Sequence, residues 1–324
     1  MRLMRVIAVL FVCSVTLVGQ TNKGGISGTV FDPNGAAVPG ATVTITNLGT
    51  GQKSTVTTTD TGAFSAQSLD PVTYSILVEA KGFKKALLDH VKVDTAATAT
   101  ANVSLETGSV SEQVVVTADA PLLNTETGTT SHTITTRQLQ DVPLNNRSVL
   151  DLALTAPNVT GDAGSEDPGV SSDQPVPGFN LNLNGGRAGS TSMLADGVNN
   201  TGVGIARAVV SFTPETVQEF TVQTSAYSAE FGNTSGGVIN VTTKSGTNDF
   251  NGIALWYHRN PKFNATPFTI GTAPRPHNNL RYNQVSVTIG GPIFLPKLGE
   301  GGKAYYNGKN KSFFFFAYEP RWKS

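Results

Sequence analysis

The 324-residue chain balances 23 basic against 23 acidic side chains, with only 14% charged residues and 34 glycines. A formally neutral chain without a basic patch argues against nucleic acid as a partner, and the length accommodates two or three domains. The single cysteine, Cys13, excludes an internal disulfide and any cysteine-based metal site. Low charge combined with long alternating segments is the composition of an all-β extracytoplasmic protein. Both tryptophans and five of the seven tyrosines lie beyond position 250.

Residues 1–20 read as a signal peptide: Arg2 and Arg5 form a positive start, Val6 to Val18 an apolar run, and Gly19 a small residue at the cleavage point. The run is too short for a spanning helix. Leu10-Phe11-Val12 before Cys13 lack the small residue of a lipoprotein site. Nothing downstream offers a helical span, so contact with a membrane is expected through β-strands.

Residues 21–107 form a block rich in Val, Thr and Gly. Strands are expected at 25–31, 41–48, 53–59, 63–66, 73–80, 87–93 and 99–105, separated by turn signals such as Asp32-Pro33-Asn34-Gly35, Pro39-Gly40 and Asp60-Thr61-Gly62. Several short strands at this spacing imply a β-sandwich. Gly28-Thr29-Val30, Pro39 to Val43, Asp60 to Phe64 and Tyr74 to Phe83 resemble the carboxypeptidase regulatory-like domain, a transthyretin-like sandwich. The chain departs from that pattern at Pro71-Val72-Thr73, where the family has Pro-Gly before its tyrosine strand. The resemblance implies an accessory domain without catalytic groups. Phe64, Tyr74 and Phe83 read as core rather than as a sugar-stacking platform.

Residues 108–118 are a linker that ends in Glu112-Gln113-Val114-Val115-Val116-Thr117-Ala118. This resembles a TonB box, the extended segment gripped by a periplasmic energy-transducing partner. A β-prone segment can join an exposed sheet edge through main-chain hydrogen bonds. The competing reading is an ordinary linker strand.

Residues 119–246 are expected to be α+β. Ser131 to Ile134 is strand-like, Thr136 is placed as the cap of a short helix running through Leu139 and Val142 and ended by Pro143, and Ser148 to Leu154 makes a second helix with Val149, Leu150, Leu152 and Ala153 inward. A loop rich in Asp, Ser, Gly and Pro follows at 157–177. Asn180 to Asn184 alternates as a strand, and Asp196-Gly197 is a turn signal rather than a catalytic acid. Phe220 and Val222, then Ile239 and Val241, mark two strands with one buried face each. Between them Gly232, Gly236 and Gly237 supply positive φ and close approach. Glu219-Phe220, Phe231-Gly232, Gly236-Gly237, Asn240 and Lys244 resemble the end of the plug domain in TonB-dependent outer-membrane receptors, most closely the Oar-like branch.

In residues 247–324, strands are expected at 253–258, 284–290 and 311–319, and they resemble the first strands of Oar-like barrels. Tyr318 and Trp322 suit an interfacial belt, whereas Phe313 to Phe316 is apolar on both faces and reads equally as a core strand. A bacterial barrel needs about eight strands, so the chain is expected to be an incomplete, N-terminal piece.

The whole is expected to be mainly β: a transthyretin-like sandwich, an α+β plug and the start of an outer-membrane barrel. The resemblance implies a TonB-like energy transducer as partner, outer-membrane lipid around a full barrel, and a ligand whose identity these residues do not reveal. It places the sandwich in the periplasm and implies no cofactor or metal. His90, His132, His258 and His277 form no i, i+4 pair, and there is no nucleophile elbow or P-loop, so no enzyme constellation exists. The alternative is a soluble periplasmic or surface binding module built on a carbohydrate-binding-like sandwich.

Overall fold

A computed structural model describes residues 22–108, 113–117, 129–144, 147–164, 177–204, 206–227, 231–232, 234–263, 281–296 and 305–323. The expected signal peptide with Cys13, the box residues Glu112 and Ala118, His277 and most of the 157–177 loop lie outside these residues.

Strands β1 (Gly24–Phe31), β2 (Thr42–Asn47), β3 (Lys53–Thr57), β4 (Ala63–Leu69), β5 (Thr73–Glu79), β6 (Lys85–Lys92), β7 (Thr98–Thr100) and β8 (Val103–Ser104) build the first unit, and β9 (Gln113–Thr117) adds to it. One sheet has the order β4-β1-β7 with β8 also on β1; the other runs β3-β2-β5-β6-β9. Period-two alternation turns Val43, Ile45, Tyr74, Ile76, Val78, Ala86 and Leu88 inward, where they meet Ile26, Val30 and Phe64 from the facing sheet. A bulge in β6, with His90 in the left-handed region at φ 60°, shifts the phase by one residue so that Val91 still faces the core. The segment expected as one strand at 99–105 is two, because Ala101 and Asn102 interrupt it. Phe64 and Tyr74 are core, and Phe83 packs against it. The Tyr74 hydroxyl donates to the Asp70 carbonyl at 3.0 Å, and burial pushes the phenol up to about 12.

The second unit contains β10 (Thr130–Thr135), α1 (Thr136–Asp141), a 3-10 helix (Val149–Thr155), β11 (Val159–Gly161), β12 (Leu181–Leu183), β13 (Thr191–Ala195), β14 (Val198–Asn199), β15 (Val217–Ser225) and β16 (Gly237–Thr243). Five strands form one sheet, in the order β10-β15-β16-β13-β14, and β11 and β12 form a separate ribbon. The helix cap lies one residue before the expected Thr136. Thr135 and Gln138 stand three apart and form a capping box, while Thr136 instead donates its hydroxyl to the Gln218 carbonyl at 2.5 Å. The second expected helix is a 3-10 turn, with Val149, Leu150, Leu152 and Ala153 buried as expected. Asp196 (φ 48°) and Gly197 (φ 78°) both take positive φ between β13 and β14, the two-residue hairpin turn that Asp-Gly favours.

A third unit holds β17 (Asn251–Arg259), a short 3-10 turn (Pro261–Phe263), β18 (Tyr282–Pro292), β19 (Phe294–Pro296), β20 (Tyr305–Asn307), β21 (Phe313–Tyr318) and β22 (Arg321–Lys323). The order is β17-β18-β21 with β22 also on β18, and β19 pairs with β20. The three strands expected here are present; the short β19, β20 and β22 carry no strong period-two signal.

The sandwich closes where backbone meets backbone. A Cβ on Gly28 in β1 would sit 2.0 Å from the Ala101 carbonyl oxygen and 3.0 Å from the Phe64 ring. Gly28→Ala is therefore expected to lower stability by about 1–3 kcal/mol through overpacking, read as a lower denaturation midpoint. An unchanged midpoint would mean that β1 and Ala101 do not approach this closely.

Candidate functional site

The five-stranded sheet of the second unit has two faces of opposite character. Phe220, Val222, Ile239, Val241 and Met193 point to one side, onto Leu139, Leu150, Leu181 and Leu183. Glu219, Thr221, Gln223, Asn240 and Thr242 point to the other and are also buried. The expectation of one buried face per strand is thus incorrect, because the sandwich covers the polar face. The Thr95 N–H donates to Glu219 Oε1 at 2.7 Å, and the Thr95 and Thr242 hydroxyls share a hydrogen bond of 2.9 Å. Asn22 Nδ2 donates to the Thr242 hydroxyl at 2.6 Å, and Asn240 Nδ2 donates to Asn22 Oδ1 at 2.8 Å. Ala96 packs beside a small cluster of Leu194, Phe231 and Val238.

Glu219 is the charged member of this junction. It accepts from the Thr221 hydroxyl at 3.1 Å and lies 3.9 Å from Lys92 Nζ. Burial raises its carboxyl to about 7, and nearby Asp94 pushes the same way; the Thr95 N–H and Lys92 only partly oppose them. Lys244, half-buried at the exit of β16, is shifted downward by burial, against Glu215. It helps line a cavity of about 330 Å³ between the units, with Asn22, Asp70, Asp196 and Gln218.

Gly236 and Gly237 allow close approach: a Cβ on Gly237 would meet the Gln223 carbonyl oxygen at 2.6 Å, and one on Gly236 the Ser190 hydroxyl at 2.7 Å. Neither they nor Gly232 adopts positive φ, so that part of the expectation is corrected; close packing is what excludes a side chain at Gly236 and Gly237.

Two further contacts tie the third unit to the first and to the second. The Asn248 N–H donates to the Gly49 carbonyl at 2.9 Å, and its side chain donates to the Thr50 carbonyl at 2.8 Å and to Asn310 Oδ1 at 2.7 Å, while accepting from the Asn310 N–H at 2.8 Å. The Arg147 guanidinium lies 3.8 Å from the centre of the Tyr257 ring and pairs with Glu215, linking the second unit to β17. Sequence reading missed Asn22, Thr95, Asn248, Asn310 and Arg147, because a lone polar residue in a loop announces no partner.

In the third unit β18 reverses the usual sidedness of a strand, although Ile253, Leu255 and Tyr257 of β17 lie half-buried on the same side as its polar residues. On β18 the polar Gln284, Ser286 and Thr288 are buried, whereas Val287 and Ile289 are exposed. Cross-strand neighbours extend the exposed apolar face: Ala254 stands opposite Val287, Trp256 opposite Val285, Phe316 opposite Ile289 and Tyr318 opposite Val287. Trp256 is 68% and Tyr318 61% exposed. A cavity of about 630 Å³ separates the buried polar face from the 207–213 loop of the second unit.

The expected box falls on β9. Residues 113–117 are extended, but they pair in parallel with β6 of the sandwich, from Lys85↔Gln113 to Asp89↔Thr117. Among the described residues no group of three or more His, Cys, Asp or Glu side chains is arranged to hold a metal.

The Glu219 junction generates a pH dependence. The folded carboxyl binds its proton more tightly than the unfolded one, so its stabilising effect is complete below the ordinary value of 4.5 and is lost as pH rises through about 7. Denaturation midpoints are expected to fall between about pH 5 and about pH 8, and Glu219→Gln is expected to flatten that slope. An equally steep slope in the variant would assign the effect to another group.

Residues 25–106 match the carboxypeptidase regulatory-like domain, and residues 242–323 match the outer membrane beta barrel domain. The TonB-dependent transporter Oar of Myxococcus xanthus is 26% identical over 295 residues, which is 84% of this chain and 26% of that protein. The chain therefore spans about a quarter of this relative's length. Among solved structures, the outer membrane transporter YddB from Escherichia coli gives a TM-score of 0.40 at 15% identity, over 51% of this chain and 25% of that one. The siderophore receptor PirA from Acinetobacter baumannii gives 0.35 at 20% identity, over 50% and 22%. On its sequence relatives, this chain is a homologue of the TonB-dependent transporter Oar that carries a carboxypeptidase regulatory-like domain and an outer-membrane β-barrel domain.

Proposed function

We propose that the chain is the N-terminal part of an outer-membrane transporter energised by a TonB-type partner. In this reading residues 1–20 direct export, 21–107 form a periplasmic sandwich, 108–118 carry the box, 119–246 form the plug, and 247–324 begin the barrel. The protein acts as a gated passage and not as an enzyme; the cargo is a ligand of unassigned chemistry.

The observation that carries the reading is the reversed sidedness of β18, whose exposed apolar face is extended by Trp256 of β17 and by Phe316 and Tyr318 of β21. A water-soluble sheet buries its apolar face, because removing apolar surface from water is worth about 25 cal/mol per Å². Here Trp256, Val287, Ile289, Phe316 and Tyr318 face outward, and Gln284, Ser286 and Thr288 face the second unit. Apolar-out and polar-in is the alternation of a strand with lipid outside and a polar lumen inside. The sheet's open edges are closed by further strands of a complete barrel, since unpaired main-chain groups are not tolerated in hydrocarbon. The second unit then lies against the lumen side, held by Arg147 on Tyr257, while Asn248 ties the sandwich loop at Gly49 and Thr50 to the same sheet.

The gate works through the edges of the plug sheet. β10 is an edge strand, paired only with β15 among the described strands. A pull on 112–118 reaches β10 first along the chain, and an edge strand has one ladder to lose where an interior strand has two. Displacing β10 loosens the sheet that fills the passage.

Two measurements test this. In vesicles carrying the protein with Trp322→Phe, Trp256 fluorescence is expected to be strongly quenched by lipids brominated on the acyl chains; quenching only by aqueous iodide would contradict a lipid-facing sheet. The C-terminal domain of a TonB-type protein is expected to retain the full chain in a pull-down and to lose it when residues 112–118 are deleted. Retention of the deleted chain would move the contact elsewhere.

A further inference from the structure

The segment that the proposed function offers to the energy-transducing partner is already occupied. β9 lies along β6 as a fifth strand of the sandwich sheet, in a five-residue parallel register from Lys85↔Gln113 to Asp89↔Thr117. Without β9, β6 would be the sheet edge, presenting a row of unpaired main-chain groups. The next residue of β6, His90, has φ 60°, and its left-handed backbone breaks the extended geometry of that edge. The β6 edge thus offers the main-chain partners that residues 113–117 need.

The sandwich that holds β9 is itself fixed to the second unit through Thr95, Asn22, Glu219, Asn240 and Thr242. A pull on β9 in this arrangement loads β6 and the sandwich before it loads β10. We infer that the β6–β9 pairing is an autoinhibitory contact: the sandwich sequesters the partner-binding strand in cis, and a TonB-type protein gains it only by displacing it from β6. This rests on the proposed role of residues 112–118. It gives the sandwich a regulatory task, because whatever loosens β6 raises the fraction of chains competent for the partner. Apparent affinity scales with that fraction.

A disulfide staple across the pairing tests it. Register partners on adjacent strands have Cα atoms roughly 4.8 Å apart, inside the range of about 4.4–6.8 Å that a disulfide spans. Leu87→Cys with Val115→Cys, in a full chain carrying Cys13→Ser, is expected to oxidise readily. The oxidised chain is expected to bind the C-terminal domain of a TonB-type protein about tenfold or more weakly than the same chain after reduction. In hydrogen exchange of the unstapled chain, adding that domain is expected to deprotect amides of residues 85–89 while residues 113–117 stay protected.

Equal affinity of the oxidised and reduced chains, with β6 still protected in the complex, would overturn the inference alone: the partner would then be adding to the outer edge of β9. A staple that fails to form would show that the pairing is not populated and would also overturn it. Absence of binding by the reduced chain would overturn the proposed role of 112–118 itself, and the inference with it.

Discussion

The structure depends on a polar sheet face buried against another domain. Glu219, Thr221, Gln223, Asn240 and Thr242 all leave water, and such groups are costly to bury unless they find hydrogen-bond partners. Thr95 and Asn22 supply several of those partners from the sandwich. The first unit is therefore docked onto the second by directional contacts, and Glu219 sits where a small change in protonation is felt by both. A hydrophobic interface of the same extent would hold without regard to pH or orientation. A polar one specifies the angle of approach and can be loosened.

That docking gives meaning to the neighbouring elements. Strand β15 carries Phe220 and Val222 on one side and Glu219 and Thr221 on the other, so a single strand belongs to two interiors. Phe220 is held in an apolar core with α1 and the 3-10 turn; Glu219 is held by the sandwich. Gly236 and Gly237 bring β16 close enough to Leu183 and Ser190 for the sheet to close. Movement of β15 along its length would disturb both interiors together, a coupling built from packing rather than from any single bond.

The third unit follows a different solvent rule. On β18 the buried polar side chains are Gln284, Ser286 and Thr288, and the exposed apolar ones across the sheet are Trp256, Val287, Ile289, Phe316 and Tyr318. The alternation has the same period as in the sandwich, with the same strand geometry underneath; only the identity of the inside has changed. In the sandwich, inside means a core of aliphatic chains. On β18, inside means the polar flank of another domain, reached through Arg147 on Tyr257.

Much of this was legible in the residues. Period-two alternation and the turn signals located β1 to β6 within a few residues, because strands with one apolar face write their burial into every second position. Asp196-Gly197 announced its turn, since few other residue pairs accept two successive positive φ values. The cap of α1 at Thr135 rather than Thr136 was also written in the sequence, in the three-residue spacing to Gln138. Tertiary structure alone decided that the polar face of β15 and β16 is buried, because Thr and Asn in alternation read the same whether water or Thr95 lies opposite. It alone paired residues 113–117 with β6, since a run of valines fixes extended backbone but not which edge it joins. The sequence determined which segments are strands and which side of each is apolar; what lies against each side depends on contacts between residues from a few tens to more than a hundred positions apart, to which local spacing is blind.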